Sequence, residues 1–373
     1  MHLLRLSFLL GLAAAVYKLW IQQVLVLLGY GRTIESLGNT DCVAIPALAA
    51  CEKIVLHQPT GLLFLACSTV ESRAHWIPAV DQLNTSGPAN VDYFATYNHD
   101  SGDIVRLEAP LPVETHGMDV VPSAADPSQL YIYAINHRKV HSALTVGADS
   151  TIEVFVHNLG AAELKHLHTV RDPTIIAPND VVGHSNGREF FWTNDHASKT
   201  GHMRHLSVLG LETGSVGYCN LDSGCKMAIR HLRGANGIAR QPDNGTVFVG
   251  NCIFGGVHVL ETQPDNTLVK KSSIPIDRPI DNLSIDKDGV LWAAGMPYPL
   301  SLLKHLANPS LLSPTSAHAA HADPNSSSQF RVVKMFEDDG NIARATTTVV
   351  HDAERRRLFL HGNAAPHLTV CNL

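Results

Sequence analysis

The sequence predicts an all-β chain, a six-bladed β-propeller preceded by an N-terminal hydrophobic helix. Three observations carry that reading. Past residue 40, long runs with helical periodicity are scarce. A polar turn followed by a short alternating or β-rich strand recurs six times. The recurrence runs at intervals that suit four-stranded blades with loops of variable length. The 373 residues, 45% apolar and 17% charged against roughly 25% in typical soluble domains, exclude a disordered chain. The net charge of −6 comes with no long basic run, so the basic stripe that nucleic-acid binding requires is missing from the sequence.

At the N-terminus, Leu6 to Tyr17 carry no charge, with His2 and Arg5 before them. After Lys18 comes a second apolar stretch, Leu19 to Leu28, softened by Gln22 and Gln23. Charged-then-apolar is the layout of a secretory signal, and Ala13-Ala14-Ala15 offers a cleavage site. Read together, residues 3–28 are also long enough to cross a bilayer, for which about 20 suffice. We therefore expect residues 1–30 to be a signal peptide or a retained signal-anchor, with membrane contact there, and residues 40–373 to form the propeller. The destination is the secretory pathway, with the propeller secreted or on the lumenal side.

Seven cysteines leave at least one thiol unpaired: Cys42, Cys51, Cys67, Cys219, Cys225, Cys252 and Cys371. None forms a CxxC pair of the zinc-site kind. Cys42 and Cys371 bracket the globular region, and a bond between them would tie the two ends of the ring together. Cys219 and Cys225 can close a small loop or stay free. Asn84, Asn244 and Asn325 each begin a glycosylation triplet in a polar, turn-like context.

The six turn-and-strand signatures are Pro59–Ser68, Pro127–His137, Ser185–His196, Pro242–Cys252, Asp286–Gly295 and Ala353–Asn363. With Gly61, Gln129, Gly187, Gly245, Gly289 and Arg357 as markers, the intervals are 68, 58, 58, 44 and 68 residues. A small polar element stands ahead of five markers, where an apolar strand would be expected. These elements are Glu52, His116, Asn179-Asp180, Asn236 and Asp281-Asn282. In a propeller, the strand before each such turn lines the central channel, so these residues from separate blades would converge on the axis.

Glu52, Asn179, Asn236, Asp281 and Asn282 offer only oxygen donors and two formal negative charges. Mixed carboxylate and amide oxygens suit calcium rather than zinc or magnesium. The plainer reading is that these are turn-forming Asn and Asp residues, common in β proteins; their step with the repeat speaks against it. Two other patterns read as bystanders. Gly183-His184-Ser185-Asn186-Gly187 matches a nucleophile elbow, which needs a helix after it; Arg188 to Thr193 read as a strand, so a hairpin turn is expected. His318 and His321 fall in Asn308–Gln329, whose Ser, Pro and Ala content reads as a mobile loop.

The assembled residues resemble the paraoxonase/arylesterase family. The matching stretches, in order, begin with Glu52, Thr115-His116-Gly117-Met118, Ile135-Asn136-His137 and Pro178-Asn179-Asp180-Val181-Val182. They continue with Trp192-Thr193-Asn194-Asp195-His196, Gly234-Ala235-Asn236-Gly237-Ile238, Ile280-Asp281-Asn282-Leu283-Ser284-Ile285-Asp286 and Cys371-Asn372-Leu373. The resemblance implies a six-bladed propeller with lactonase and esterase activity. It also implies a catalytic calcium on Glu52, Asn179, Asn236, Asp281 and Asn282, a water-activating pair His116 and His137, and a Cys42–Cys371 disulfide. Asp180 and the Met118 backbone match ligands of a second, buried calcium. There the chain departs: Lys53 stands where an aspartate is expected, and an ammonium repels a cation. We expect Lys53 to pair with Asp180 instead. A second departure is Gly295-Met296-Pro297, where animal members have a Cys-His pair, so the pocket wall should differ.

The expected function is calcium-dependent hydrolysis of lactones and aryl esters, on small lipophilic substrates. Rivals are a sugar-lactonase-like propeller, an enzyme dedicated to one natural lactone, anhydride or ester, and a propeller that binds without catalysis. Fold alone does not separate them.

Overall fold

The structure is a computed structural model that describes residues 11–12, 14–201, 204, 210–242, 245–326 and 328–373. Residues 1–10 and 13 of the predicted leader, and the glycosylation candidate Asn244, lie outside the described residues.

Six four-stranded antiparallel sheets form the ring, and each runs outward from its first strand in the chain, apart from one borrowed strand. Their innermost strands are Cys51–His57, Thr115–Pro122, Pro178–Gly183, Ala235–Arg240, Ile280–Ile285 and Thr348–Asp352, for blades 1 to 6. Blade 6 takes its outermost strand, Cys42–Ile45, from the start of the domain. That strand pairs with Leu368–Asn372, with Cys42 opposite Cys371 in register and disulfide-bonded. Cys51–Cys67 and Cys219–Cys225 are also bonded, and Cys252 is free.

Each blade is sandwiched by its neighbours, so both faces of its strands must be apolar. The strand Glu189–Asn194 illustrates the alternation: Phe190 and Trp192 pack towards Tyr133 and Ile135 of blade 2, and Phe191 towards Val247 and Val249 of blade 4. Between inner and second strands the chain turns tightly. Gly187 takes a left-handed φ of 70° in such a turn, which a side chain resists. The would-be elbow around Ser185 is therefore a hairpin between two strands, as its following residues predicted.

The Asn308–Gln329 segment differs from expectation. Thr315–Ala322 is the third strand of blade 5, with His318 buried against Ser316 and His321 at its outer end. Its alanines look like loop composition, but Ala317 and Ala319 are the small partners of Trp292 and Phe336 in a shared core. Ahead of the propeller, Tyr17–Ile21 and Gln22–Leu27 are helical, with Tyr17, Trp20 and Ile21 exposed. Among the described residues, no helix is long and apolar enough to cross a membrane. The chain then follows blade 5, where Leu37 bridges Glu337 and Arg32 donates to the carbonyls of Pro297 and Asp277.

Candidate metal centre

Five of the six innermost strands carry a bulge, and each bulge falls on a predicted residue. Register shifts lie between Cys51 and Lys53, Thr115 and Met118, Pro178 and Val181, Ala235 and Ile238, and Ile280 and Leu283. A bulge adds a residue to one strand, bends it and re-aims its side chains. The extra residues include Glu52, His116, Asn179-Asp180, Asn236 and Asp281-Asn282. The sixth inner strand pairs without a shift. Two bulges need glycine because backbones meet there. A Cβ on Gly117 would stand 2.4 Å from the Asn179 carbonyl oxygen, and one on Gly237 2.4 Å from the Asn282 Cα.

All five oxygen-bearing candidates are buried. Glu52 accepts from Asn282 Nδ2 at 3.1 Å and from Thr347 Oγ1 at 2.9 Å. Burial pushes its carboxyl up to about 7, and burial with the Glu52 and Asp180 charges pushes Asp281 well up. The charges of Arg73 near Glu52 and of Lys53 near Asp281 oppose this rise without cancelling it, so the two carboxyls are left under-neutralised. The amide oxygens Asn179 Oδ1 and Asn236 Oδ1 are buried with no donor. Oxygens without donors beside under-neutralised carboxyls fit a hard cation such as calcium. Among the described residues no group of three or more His, Cys, Asp or Glu is placed to hold a metal, as befits a set dominated by asparagine.

Lys53 behaves as its position predicted. Its ammonium lies 2.5 Å from Asp180 Oδ2, with both side chains buried. Burial pushes the Asp180 carboxyl up, and the Lys53 ammonium pulls it back. Met118 lies in the next inner strand, buried in the core between blades 1 and 2. A second cation at Asp180 Oδ2 would meet this ammonium, while the other oxygen, Oδ1, is buried without a donor.

His116 and His137 come together with ring centroids 5.2 Å apart. Asn179 Nδ2 lies 3.4 Å from His116 Nε2, so with the amide donating, its Oδ1 is left free. Ser150 Oγ meets His137 Nδ1 at 2.8 Å, and Trp76 Nε1 donates to the His137 carbonyl. His116 Nδ1 and His137 Nε2 have no protein partner. Burial, aided by Arg73 and Arg204, holds His137 down at about 3, and burial with His137 and Arg73 holds His116 well down. Both rings are therefore neutral at neutral pH. Beside His137 is a cavity of about 10 Å³, lined also by Ser150, Asp195, Lys199 and Arg204. A larger one of about 690 Å³ opens on the opposite half of the channel, with Lys53 among its lining residues.

Sequence reading missed several members. Thr347 was findable: it stands nine residues before Arg356, the left-handed residue of the blade 6 turn, the same offset as Glu52 from Gly61. Buried Asp195 has one oxygen, Oδ1, without a donor, and Cys252 bonds the Asn236 side chain. Arg73, which reaches Thr115 and Asp92 from outside the repeat, had no signal in the spacing.

Comparison with known proteins places this arrangement among relatives. The arylesterase family model matches residues 59–373, a span that begins after Glu52 and Lys53. Serum paraoxonase/arylesterase 2 of Bos taurus is 25% identical over 76% of this chain and 77% of its own length. Serum paraoxonase/lactonase 3 of Oryctolagus cuniculus is 26% identical over 86% of each. Among solved structures, a luciferin-regenerating enzyme superposes with a TM-score of 0.52 at 14% identity, covering 91% of this chain and 95% of its own. The pyranose dehydrogenase PQQ domain of Coprinopsis cinerea gives 0.52 at 9% identity, covering 91% and 97%. At such identities these two structures speak to the fold alone.

Proposed function

Because the chain belongs to the arylesterase family, we propose that it is a calcium-dependent hydrolase of lactones and aryl esters. The observation that carries this reading is the pair of buried, donorless amide oxygens of Asn179 and Asn236, set beside two carboxylates and the His116–His137 pair. Glu52, Asp281, Asn179 and Asn236 would hold the ion, with Asn282 the fifth candidate. When bound, calcium supplies a Lewis acid that polarises a substrate carbonyl and stabilises the charge developing on it.

The chain's own groups do the rest. The low pKa values keep both imidazoles neutral, so each has a lone pair to accept a proton from attacking water. His116 is oriented by Asn179, and His137 by Ser150 and the Trp76 clamp on its carbonyl. The cavity at His137 has room for about one water. Met296, where the family pattern changes, packs in an apolar cluster with Ile77, Leu302 and Cys252. One calcium suffices, since Lys53 neutralises Asp180.

The disulfides and the exposed glycosylation triplet at Asn84 support a secretory route. The exposed Tyr17, Trp20 and Ile21 support membrane contact by the N-terminal segment. Hydrolysis of a panel of aliphatic lactones and phenyl esters tests the function, with calcium, with chelator and after calcium is restored. Activity lost and recovered is expected. Calcium-dependent stability without turnover on any substrate would favour the second reading, a non-catalytic propeller, to which the small size of the His137 cavity lends weight.

A further inference from the structure

The three asparagines at the axis are not equivalent. Asn179 and Asn236 hold donorless oxygens, whereas Asn282 Oδ1 lies 3.3 Å from the Lys53 ammonium. We infer that Lys53 withdraws Asn282 from the cation, so that four side chains rather than five bind calcium and Lys53 is a positioning residue for the site.

The direction of the Asn282 amide follows from its neighbours. An ammonium only donates and a carboxylate only accepts. Facing Lys53 on one side and Glu52 on the other, Asn282 must turn its oxygen to the first and its Nδ2 to the second. The reverse orientation would set N–H groups against the ammonium and oxygen against oxygen. Lys53 is itself fully used: its three N–H groups meet Asp180 Oδ2 of blade 3 and Asn282 Oδ1 and the Leu283 carbonyl of blade 5. Asp180 Oδ2 also accepts from the Ile238 amide of blade 4, so the ammonium is anchored rather than mobile. The Asn282 backbone cannot shift to compensate. Its amide donates to the Thr347 carbonyl, and the Gly237 backbone is packed against its Cα. In place of coordinating, Asn282 donates to Glu52 and orients that carboxylate.

This inference rests on the calcium reading, and its test is a calcium titration against a chromophoric chelator rather than an activity assay. On the full chain, Asn179→Ala and Asn236→Ala, which remove a direct ligand, are expected to weaken calcium binding about a hundredfold or more, and Asn282→Ala, which removes only the hydrogen bond that orients Glu52, about tenfold. Lys53→Met releases the amide and should tighten binding about tenfold, and adding Asn282→Ala should take that gain back. Should Asn282→Ala fail to fold by circular dichroism, the Lys53→Met result decides alone. An Asn282→Ala loss equal to that of Asn236→Ala, or no gain in Lys53→Met, overturns the inference while leaving the calcium reading intact. No calcium binding by the unaltered protein overturns both.

Discussion

His116 and His137 are the residues whose chemistry the proposed reaction needs most directly, and their surroundings make the need testable. Each keeps one ring nitrogen unpartnered in a buried site, and the two rings stand 5.2 Å apart beside the candidate ligand Asn179. His116→Gln and His137→Gln should each lower kcat about 10²- to 10⁴-fold with KM little changed and folding intact; full activity in both would transfer the base role to a carboxylate. His361 serves the fold instead. Its Nδ1 accepts from the Gly362 amide and its Nε2 donates to the Leu48 carbonyl, a pair only the neutral ring satisfies. Burial holds it down at about 3, against about 6.5 in the unfolded chain. The unfolded chain thus binds the proton first as pH falls. The stability from His361 is complete above about 6.5 and is lost towards 3, at about 1.4 kcal/mol per pH unit. Urea unfolding between pH 7.5 and 5 should show a pH slope shallower by about one proton in His361→Gln; an unchanged slope would contradict the assignment. Glu52 and the asparagines were legible because they recur in step with the turns. Arg73 and Ser150 were not, since they act on the site from positions that no repeat marks.

At the scale of single strands, the bulge is the device that brings polar residues of a β ladder to the axis as a candidate ligand set. An unbroken innermost strand sends its side chains alternately into the two flanking interblade cores, as Ile54 and Val55 do. The extra residue at each bulge escapes that alternation and faces the axis. The sequence announced this as polar residues where apolar ones belonged, which is why the site was readable before its geometry. The third strand of blade 5 was misread for the converse reason: its alanines are small to fit Trp292 and Phe336, and nothing local distinguishes that from a loop. The close approach at Gly237 gives the bulge a sharp test. A Cβ there would stand 2.6 Å from the Asp281 carbonyl oxygen and 2.4 Å from the Asn282 Cα, both backbone. Gly237→Ala should cost about 3 kcal/mol or more and weaken calcium binding with it, read from urea midpoints with and without calcium. A near-neutral effect would mean that the inner strands of blades 4 and 5 separate easily.

The ring as a whole has one closure in its disulfide and a proposed second in calcium, and the two would act on opposite sides of the folding equilibrium. The Cys42–Cys371 bond joins residues 329 apart and fastens the borrowed strand in blade 6. On the chain-entropy account it works by restricting the unfolded chain, by up to about 6 kcal/mol for so long a loop. Calcium, on the proposed reading, would work only on the folded ring, because its candidate ligands in blades 1, 3, 4 and 5 converge nowhere else; at a thousand times its Kd it would add about 4 kcal/mol. Blade 6 reaches the site only through Thr347 at its innermost strand, whereas the bond lies between its two outermost strands, so the bond should not shape the site. The two contributions should therefore add. Urea unfolding of the unaltered protein and of Cys42→Ser/Cys371→Ser, each with calcium and with chelator, measures all four corners. Equal calcium increments in both forms are expected. A Cys42→Ser/Cys371→Ser protein that still folds but gains little from calcium would show that ring closure preorganises the axis, placing the bond in the machinery of the site rather than only in its scaffold.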